Sequence, residues 1–181
     1  MIDFAPACAR MTEIVAGVAE DRLGDPTPCA EYAVKDLIGH IDRVAVGFAA
    51  VARKEDPAGG GVDFGDGWRE RLAERLDGLA AAWADPAAWE GTGPAAGTEL
   101  ANEVWGRIAF TEVVVHGWDL ARATGQPFTL PDATLEACWA HVSVFVPDAP
   151  IPELWSPPVP VPADAPLIDR IVAMTGRDPR W

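Results

Sequence analysis

Cysteine is scarce and scattered in this chain. Of 181 residues only Cys8, Cys29 and Cys138 are cysteines. Their odd number, wide spacing and lack of a C-x-x-C pair exclude a disulfide framework and fit a reducing compartment. Basic residues are also few: 14 Lys and Arg face 28 Asp and Glu, for a formal charge of −14. Such a surface repels phosphate backbones and anionic headgroups, so neither nucleic acid nor membrane is an expected partner, although a cleft can still hold a small anion. No apolar run approaches the roughly 18 residues that a bilayer-spanning helix requires. The start, MIDFAPACARMTE, has neither a basic lead nor an apolar core, because Asp3 and Glu13 interrupt it. No secretory signal is expected, and the cytoplasm is the expected compartment. Histidine is as rare as cysteine, with three residues, so each can be weighed singly.

Apolar mass is plentiful. Hydrophobic residues make up 49% of the chain and eight are tryptophan, which excludes a disordered tail and supports one domain over residues 1–181 with a real core. Phe4, Cys8, Met11, Val15 and Val18 recur at helical spacing, predicting a first helix that ends near Gly24-Asp25-Pro26. Val34, Leu37, Ile41, Val44, Phe48 and Val51 predict a second, from about Val34 to Lys54, before the breaker run Asp56 to Gly61. Asp66 is the expected cap of a third helix, with Leu72, Leu76, Leu79 and Trp83 on its buried stripe and Pro86 behind it. After a Gly/Pro/Thr loop, Thr98 is the expected cap of a fourth, which runs past Leu120 to Gly125. A fifth starts near Pro131-Asp132, with Leu135, Trp139 and Val142 expected inside, and ends before Pro147. Residues 147–166 are too proline-dense for a helix and read as an extended strap laid over the domain. A short helix from Leu167 to Thr175 and a tail close the chain. The expected fold class is all-α: a four-helix bundle with short peripheral helices and a proline-rich C-terminal strap.

His40 shares a helix with Leu37, Ile41 and Val44, which puts it on or beside the inward face. Glu112 and His116 are one helical turn apart, so both side chains reach the same region, and Ile108 and Val115 place that region inside. Two imidazoles and a carboxylate from facing helices can supply three ligands to one metal ion and leave a coordination position open. Spacing alone does not choose this reading. A Glu and a His at i, i+4 are more usually a helix-surface pair, and a histidine on an apolar face is more usually a hydrogen-bonded core residue.

Four stretches together resemble one family. They are Thr27-Pro28-Cys29-Ala30-Glu31, Val34-Lys35-Asp36-Leu37-Ile38-Gly39-His40, Glu112-Val113-Val114-Val115-His116-Gly117-Trp118-Asp119-Leu120-Ala121 and Met174-Thr175-Gly176-Arg177-Asp178-Pro179. They resemble the metal-binding domain family of mycothiol-dependent maleylpyruvate isomerases, within the DinB-like superfamily of four-helix bundles, and in particular its short single-domain subgroup. The resemblance implies a divalent metal, zinc first with nickel or iron admitted by the same donors, held by His40, Glu112 and His116. It also implies mycothiol as thiol cosubstrate and an electrophilic small-molecule substrate. The isomerases resembled carry a further C-terminal domain that this sequence, ending at Trp181, does not show, so their reaction is not carried over with the ligands.

Two functions follow as expectations. One is a thiol-dependent transferase or isomerase that uses a metal-bound thiolate; the other is a non-catalytic, metal-dependent ligand-binding or sensing module. A homodimer is compatible with either. Asp119 reads as a support for a ligand histidine or, at least as readily, as an ion-pair partner of Arg122 at i+3. Trp118 reads as core, His141 as solvent-facing or capping, and Cys29 as packing or a loop residue. Asp63-Phe64-Gly65 spells a kinase tripeptide with none of its companions, and Gly59 to Gly61 lack the lysine of a nucleotide loop.

Overall fold

The computed structural model describes residues 1–56, 60–95, 97–148 and 155–181. The structure is mainly helical, with α1 (Ala5–Ala16), α2 (Val34–Arg53), α3 (Trp68–Trp83), α4 (Asn102–Thr124), α5 (Asp132–Phe145) and α6 (Leu167–Met174). Helices α1 and α2 each pack against both α3 and α4, and α5 and α6 pack on each other and on α4. Among the described residues no helix is long and apolar enough to cross a membrane.

Helix α2 ends on Lys54, which takes a left-handed conformation at φ 59°, and Asp36 accepts the Ala33 N–H at 3.2 Å at its start. Three boundaries differ from expectation. Helix α1 stops at Ala16, and a 3₁₀ turn over Glu20–Arg22 carries the chain onward. Gln126 stops it there: its side-chain N–H donates to the Ile14 carbonyl at 2.9 Å, and its amide oxygen lies so near Gly17 that a Cβ there would meet it at 2.4 Å. Helix α3 is entered through Gly67 at φ 75° rather than capped by Asp66. The all-α expectation is also corrected. Thr98 does not cap α4 but pairs with Ala95 in a two-stranded antiparallel hairpin, β1 (Thr92–Ala95) and β2 (Thr98–Ala101). Gly97 at φ 75° supplies its turn. The hairpin is tied to the start of α4 by the Asn102 N–H on the Gly91 carbonyl at 3.0 Å and the Trp105 indole on the Gly93 carbonyl at 2.7 Å.

Helix α4 is the centre of the fold. Every residue from 108 to 121 is buried, as befits a helix with packing partners on all sides. Gly106 lets it approach the tryptophans: a Cβ there would stand 2.7 Å from the Trp83 ring and 2.8 Å from the Trp89 ring. Gly125 at φ 70° ends the helix, as expected.

Helix α5 buries Thr134, Cys138, His141 and Val142, while Leu135 and Trp139 are half-buried. His141 is therefore inside rather than solvent-facing or capping. Its ring stacks on Phe145 with centroids 4.6 Å apart, and its Nε2 is buried without a hydrogen-bond partner. The stripe is rotated because α6 claims the Trp139 side, where Arg170 lies 4.3 Å over the indole. The strap runs along α6, with the Val159 N–H on the Ala173 carbonyl at 2.8 Å. Its stretch 149–154 lies outside the described residues.

Two outcomes follow. Gly106→Ala drives a methyl into two tryptophan rings and should lower stability by about 1–3 kcal/mol in urea unfolding. Burial, with the Arg107 charge, pushes the His141 pKa down from 6.5 to about 4. Between those values the unfolded chain takes up a proton that the folded one refuses, so stability is lost as pH falls from about 6.5 to 4. The difference in unfolding free energy between wild type and His141→Phe should change across that window and be flat above it.

Candidate metal centre

The site is assembled from three segments. Residues 25–33 form a closed loop at the mouth of α2, held by an antiparallel bridge between Pro26 and Ala33 and by the Thr27 hydroxyl, which lies 2.9 Å from the Cys29 carbonyl and 2.8 Å from that of Tyr32. This loop presents Cys29 and Tyr32, and His40 follows on the second turn of α2. Helix α4 brings Glu112, His116 and Asp119. The turn after α6 brings Arg177, and Trp155 and Ser156 complete the wall of a cavity of about 230 Å³. A larger cavity of about 470 Å³ between α4 and α5 is lined by Arg107, His141 and Phe145, and no candidate ligand reaches it.

The three residues expected to share a metal ion do come together. His40 Nε2 stands 3.0 Å from Glu112 Oε2, and His116 Nε2 stands 3.2 Å from that same oxygen. The two imidazoles meet edge to face with centroids 4.7 Å apart. The three donor atoms lie within 4.8 Å of one another. On its far side His116 meets Asp119, Nδ1 to Oδ2 at 2.9 Å. Tyr32 stacks on His40 at 5.2 Å, with its hydroxyl 3.5 Å from Nδ1, at the outer limit of a hydrogen bond.

The charges are strongly coupled. Burial alone would raise the Glu112 pKa, but the His116 charge and the hydrogen bonds from His116 and His40 hold it well below the usual carboxylate range. Burial alone would lower that of His116, yet Glu112 and Asp119, one on each nitrogen, push it up to about 9. Burial raises the Cys29 thiol, against a smaller opposing pull from Arg177.

This donor set fits a divalent ion. Two imidazole Nε2 atoms and one carboxylate oxygen converge on one point, and the second nitrogen of His116 is engaged by a carboxylate, the arrangement that orients ligating histidines. Asp119 does not pair with Arg122, which reaches instead to the Trp181 and Pro179 carbonyls and lies over the Trp118 ring. Asp119 faces inward and takes Arg177. Trp118 is buried, as expected of a core residue. Sequence reasoning missed Cys29, which lines the cavity with its sulfur near His116 and Asp119. It missed Tyr32, Trp155 and Arg177 as well. The position of Cys29 and Arg177 within two of the stretches that resemble the family was the available signal; spacing gave none.

Comparison with known proteins gives the chain's relatives. The family described as the mycothiol maleylpyruvate isomerase N-terminal domain matches residues 4–121. Two uncharacterized proteins of Mycobacterium tuberculosis, one from each of two strains, are 31% identical over 182 residues, spanning 92% of this chain and 91% of theirs. Crystal structures of the mycothiol-dependent maleylpyruvate isomerase, one with a histidine replaced by alanine and one without, superpose with TM-scores of 0.59 and 0.54 at 16% identity. Each covers 77% of this chain, which in turn spans 66% of the isomerase chain. At that identity the likeness is one of fold.

Of the three cysteines, Cys8 and Cys138 are buried in the core with thiols pushed up to about 12, chiefly by burial, and only Cys29 lines an accessible cavity. Maleimide labelling of the native protein, read by peptide mass mapping, should modify Cys29 alone and slowly; in urea all three cysteines should react.

Proposed function

We propose that this chain, which belongs to the mycothiol maleylpyruvate isomerase N-terminal domain family, binds one divalent metal ion through His40, Glu112 and His116 and uses it to hold a low-molecular-weight thiol against an electrophile. The observation that carries this reading is the convergence of two histidine Nε2 atoms on one buried Glu112 oxygen, beside a cavity. When bound, a metal there supplies the acidity that turns a coordinated thiol into a thiolate nucleophile.

The protein's own groups set the rest. Glu112 joins the two histidine-bearing helices and offers a buried anionic donor. Tyr32 lies flat on His40 and limits its rotation. Trp155 and Ser156 line the same cavity. The cavity is smaller than the roughly 300–1,000 Å³ of drug-sized ligand sites. It takes the sulfur end of a thiol and a small electrophile, with the remainder of a larger thiol lying outside. Mycothiol is the thiol that the family points to, and thiol addition in a transferase or isomerase is the reaction class.

The finer reading includes zinc as the ion, since two imidazoles and a carboxylate suit it, with nickel or iron as the alternatives of like donor preference. It also includes a DinB-like arrangement in which α1 to α4 form a four-helix bundle as a single domain, and action in the cytoplasm. A homodimer is compatible with this reading.

Elemental analysis of protein purified without chelator should find about one equivalent of metal, and His116→Ala should remove most of it. Cobalt-substituted protein should develop a sulfur-to-metal charge-transfer band when mycothiol is added. A band without consumption of any electrophile would assign the chain to metal-dependent thiol binding alone. Full metal retention by His116→Ala, or a cobalt spectrum that no thiol changes, would overturn the proposal.

A further inference from the structure

We propose that Arg177 is a positioning residue for His116, acting through Asp119, so that the C-terminal segment 155–181 completes the metal centre. The inference rests on the reading of His116 as a ligand. It concerns a residue outside the span 4–121 that matches the family.

His116 must present Nε2 to the point shared by His40 and Glu112, and rotation of its ring would turn that nitrogen away. The hydrogen bond from Nδ1 to Asp119 Oδ2 at 2.9 Å sets the ring. A carboxylate held by one bond is itself free to turn, and Asp119 is fully buried with no solvent to steady it. Arg177 removes that freedom. Its Nε lies 3.3 Å from both Asp119 oxygens, and its Nη2 donates to Oδ2 at 3.1 Å. The planar fork grips the carboxylate at more than one point, which a lysine ammonium does not reproduce.

Arg177 is in turn fixed by its own segment. Its Nη1 donates to the Thr175 carbonyl at 2.8 Å, and its backbone N–H donates to that of Val172 at 2.9 Å. The preceding Gly176, at φ 87°, lies so close to Ser156 that a Cβ would stand 2.4 Å from that side chain. The Trp155 ring lies 5.7 Å from the guanidinium. Arg177 is 6% exposed, and its guanidinium is held by Asp119, the Thr175 carbonyl and the Trp155 ring. A chain of contacts therefore runs from the strap through Arg177 and Asp119 to His116.

A simple tail anchor would alter stability and leave metal affinity alone, whereas a positioning residue alters affinity. Dissociation constants for zinc, from competition with a chromophoric chelator, separate the two in the full-length protein. Arg177→Gln should weaken zinc binding about 10–100-fold, the range for lost partners of metal-ligating histidines. Arg177→Lys, which keeps the charge but not the fork, should fall between that variant and wild type. Combining Arg177→Gln with Asp119→Asn should weaken binding little more than either change alone, because the two act in series. The ligand-field bands of the cobalt protein should shift in Arg177→Gln. If Arg177→Gln does not fold, Arg177→Lys and Asp119→Asn carry the same measurements. A wild type that binds zinc and an Arg177→Gln that binds it equally well or more tightly would overturn this inference alone. A wild type that binds no metal would overturn the metal reading itself, and this inference with it.

Discussion

Glu112 and Asp119 sit on α4 where the helix has no solvent-facing side, and a charged carboxylate cannot stay there without a partner. The two share His116 of the same helix, and each takes a second partner from a part of the chain far from α4 in sequence. Glu112 is met by His40 of α2 and by His116; Asp119 is met by His116 and by Arg177. The result is an alternating series, His40, Glu112, His116, Asp119, Arg177, in which His116 is shared. Removing one member of such a buried series leaves another uncompensated, at a typical loss of about 3–5 kcal/mol. The register of α2 against α4 and the docking of the C-terminal turn are both tied to this row of polar contacts.

The row is buried because of what covers α4. Helices α1 and α2 pack on it, and so do α5 and α6. The hairpin and the Trp83 and Trp89 rings close its N-terminal half through Gly106 and Asn102. The outer cover is what separates the site from a surface Glu/His pair. Without it Asp119 would face water, its hydrogen bond to His116 would compete with solvent, and Arg177 would have no buried carboxylate to hold.

The long helices were legible because their apolar spacing is sustained and their ends carry strong signals, as with Gly125 and Pro127 after α4 or the breaker run after Lys54. The hairpin was not, because Thr92-Gly93-Pro94-Ala95 and Thr98-Glu99-Leu100-Ala101 are short, and their pairing is secured by the Trp105 indole and the Asn102 amide, tertiary contacts that no local pattern announces. The end of α1 depended on Gln126, more than a hundred residues on. The face of α5 was misjudged, and His141 with it, since Leu135 and Trp139 looked like the core stripe but are only half-buried, with Trp139 on the α6 side. At the candidate site, the spacing of Glu112 and His116 gave the local geometry. The likeness to a family separated it from a surface pair. Arg177 was invisible as a partner of Asp119 because Arg122 stands at the helical spacing that ordinarily decides such pairs. What overrode that spacing was direction: α4 turns Asp119 inward and Arg122 outward.

The division between matched and unmatched sequence has a chemical counterpart. Every proposed metal ligand lies within residues 4–121, while Trp155, Ser156 and Arg177, which line the same cavity, lie beyond them. A ligand set limits which ions can bind and the acidity that they can lend to a thiol. It does not fix which electrophile fits beside that thiol, because discrimination between substrates comes from the walls of the pocket. On the proposed reading, the ligands lie in the part that matches the family model, whereas the substrate is selected in part by a segment beyond it. The same segment also steadies His116. Changes in the strap that alter substrate choice would then alter the metal centre as well, and the two properties would be constrained together.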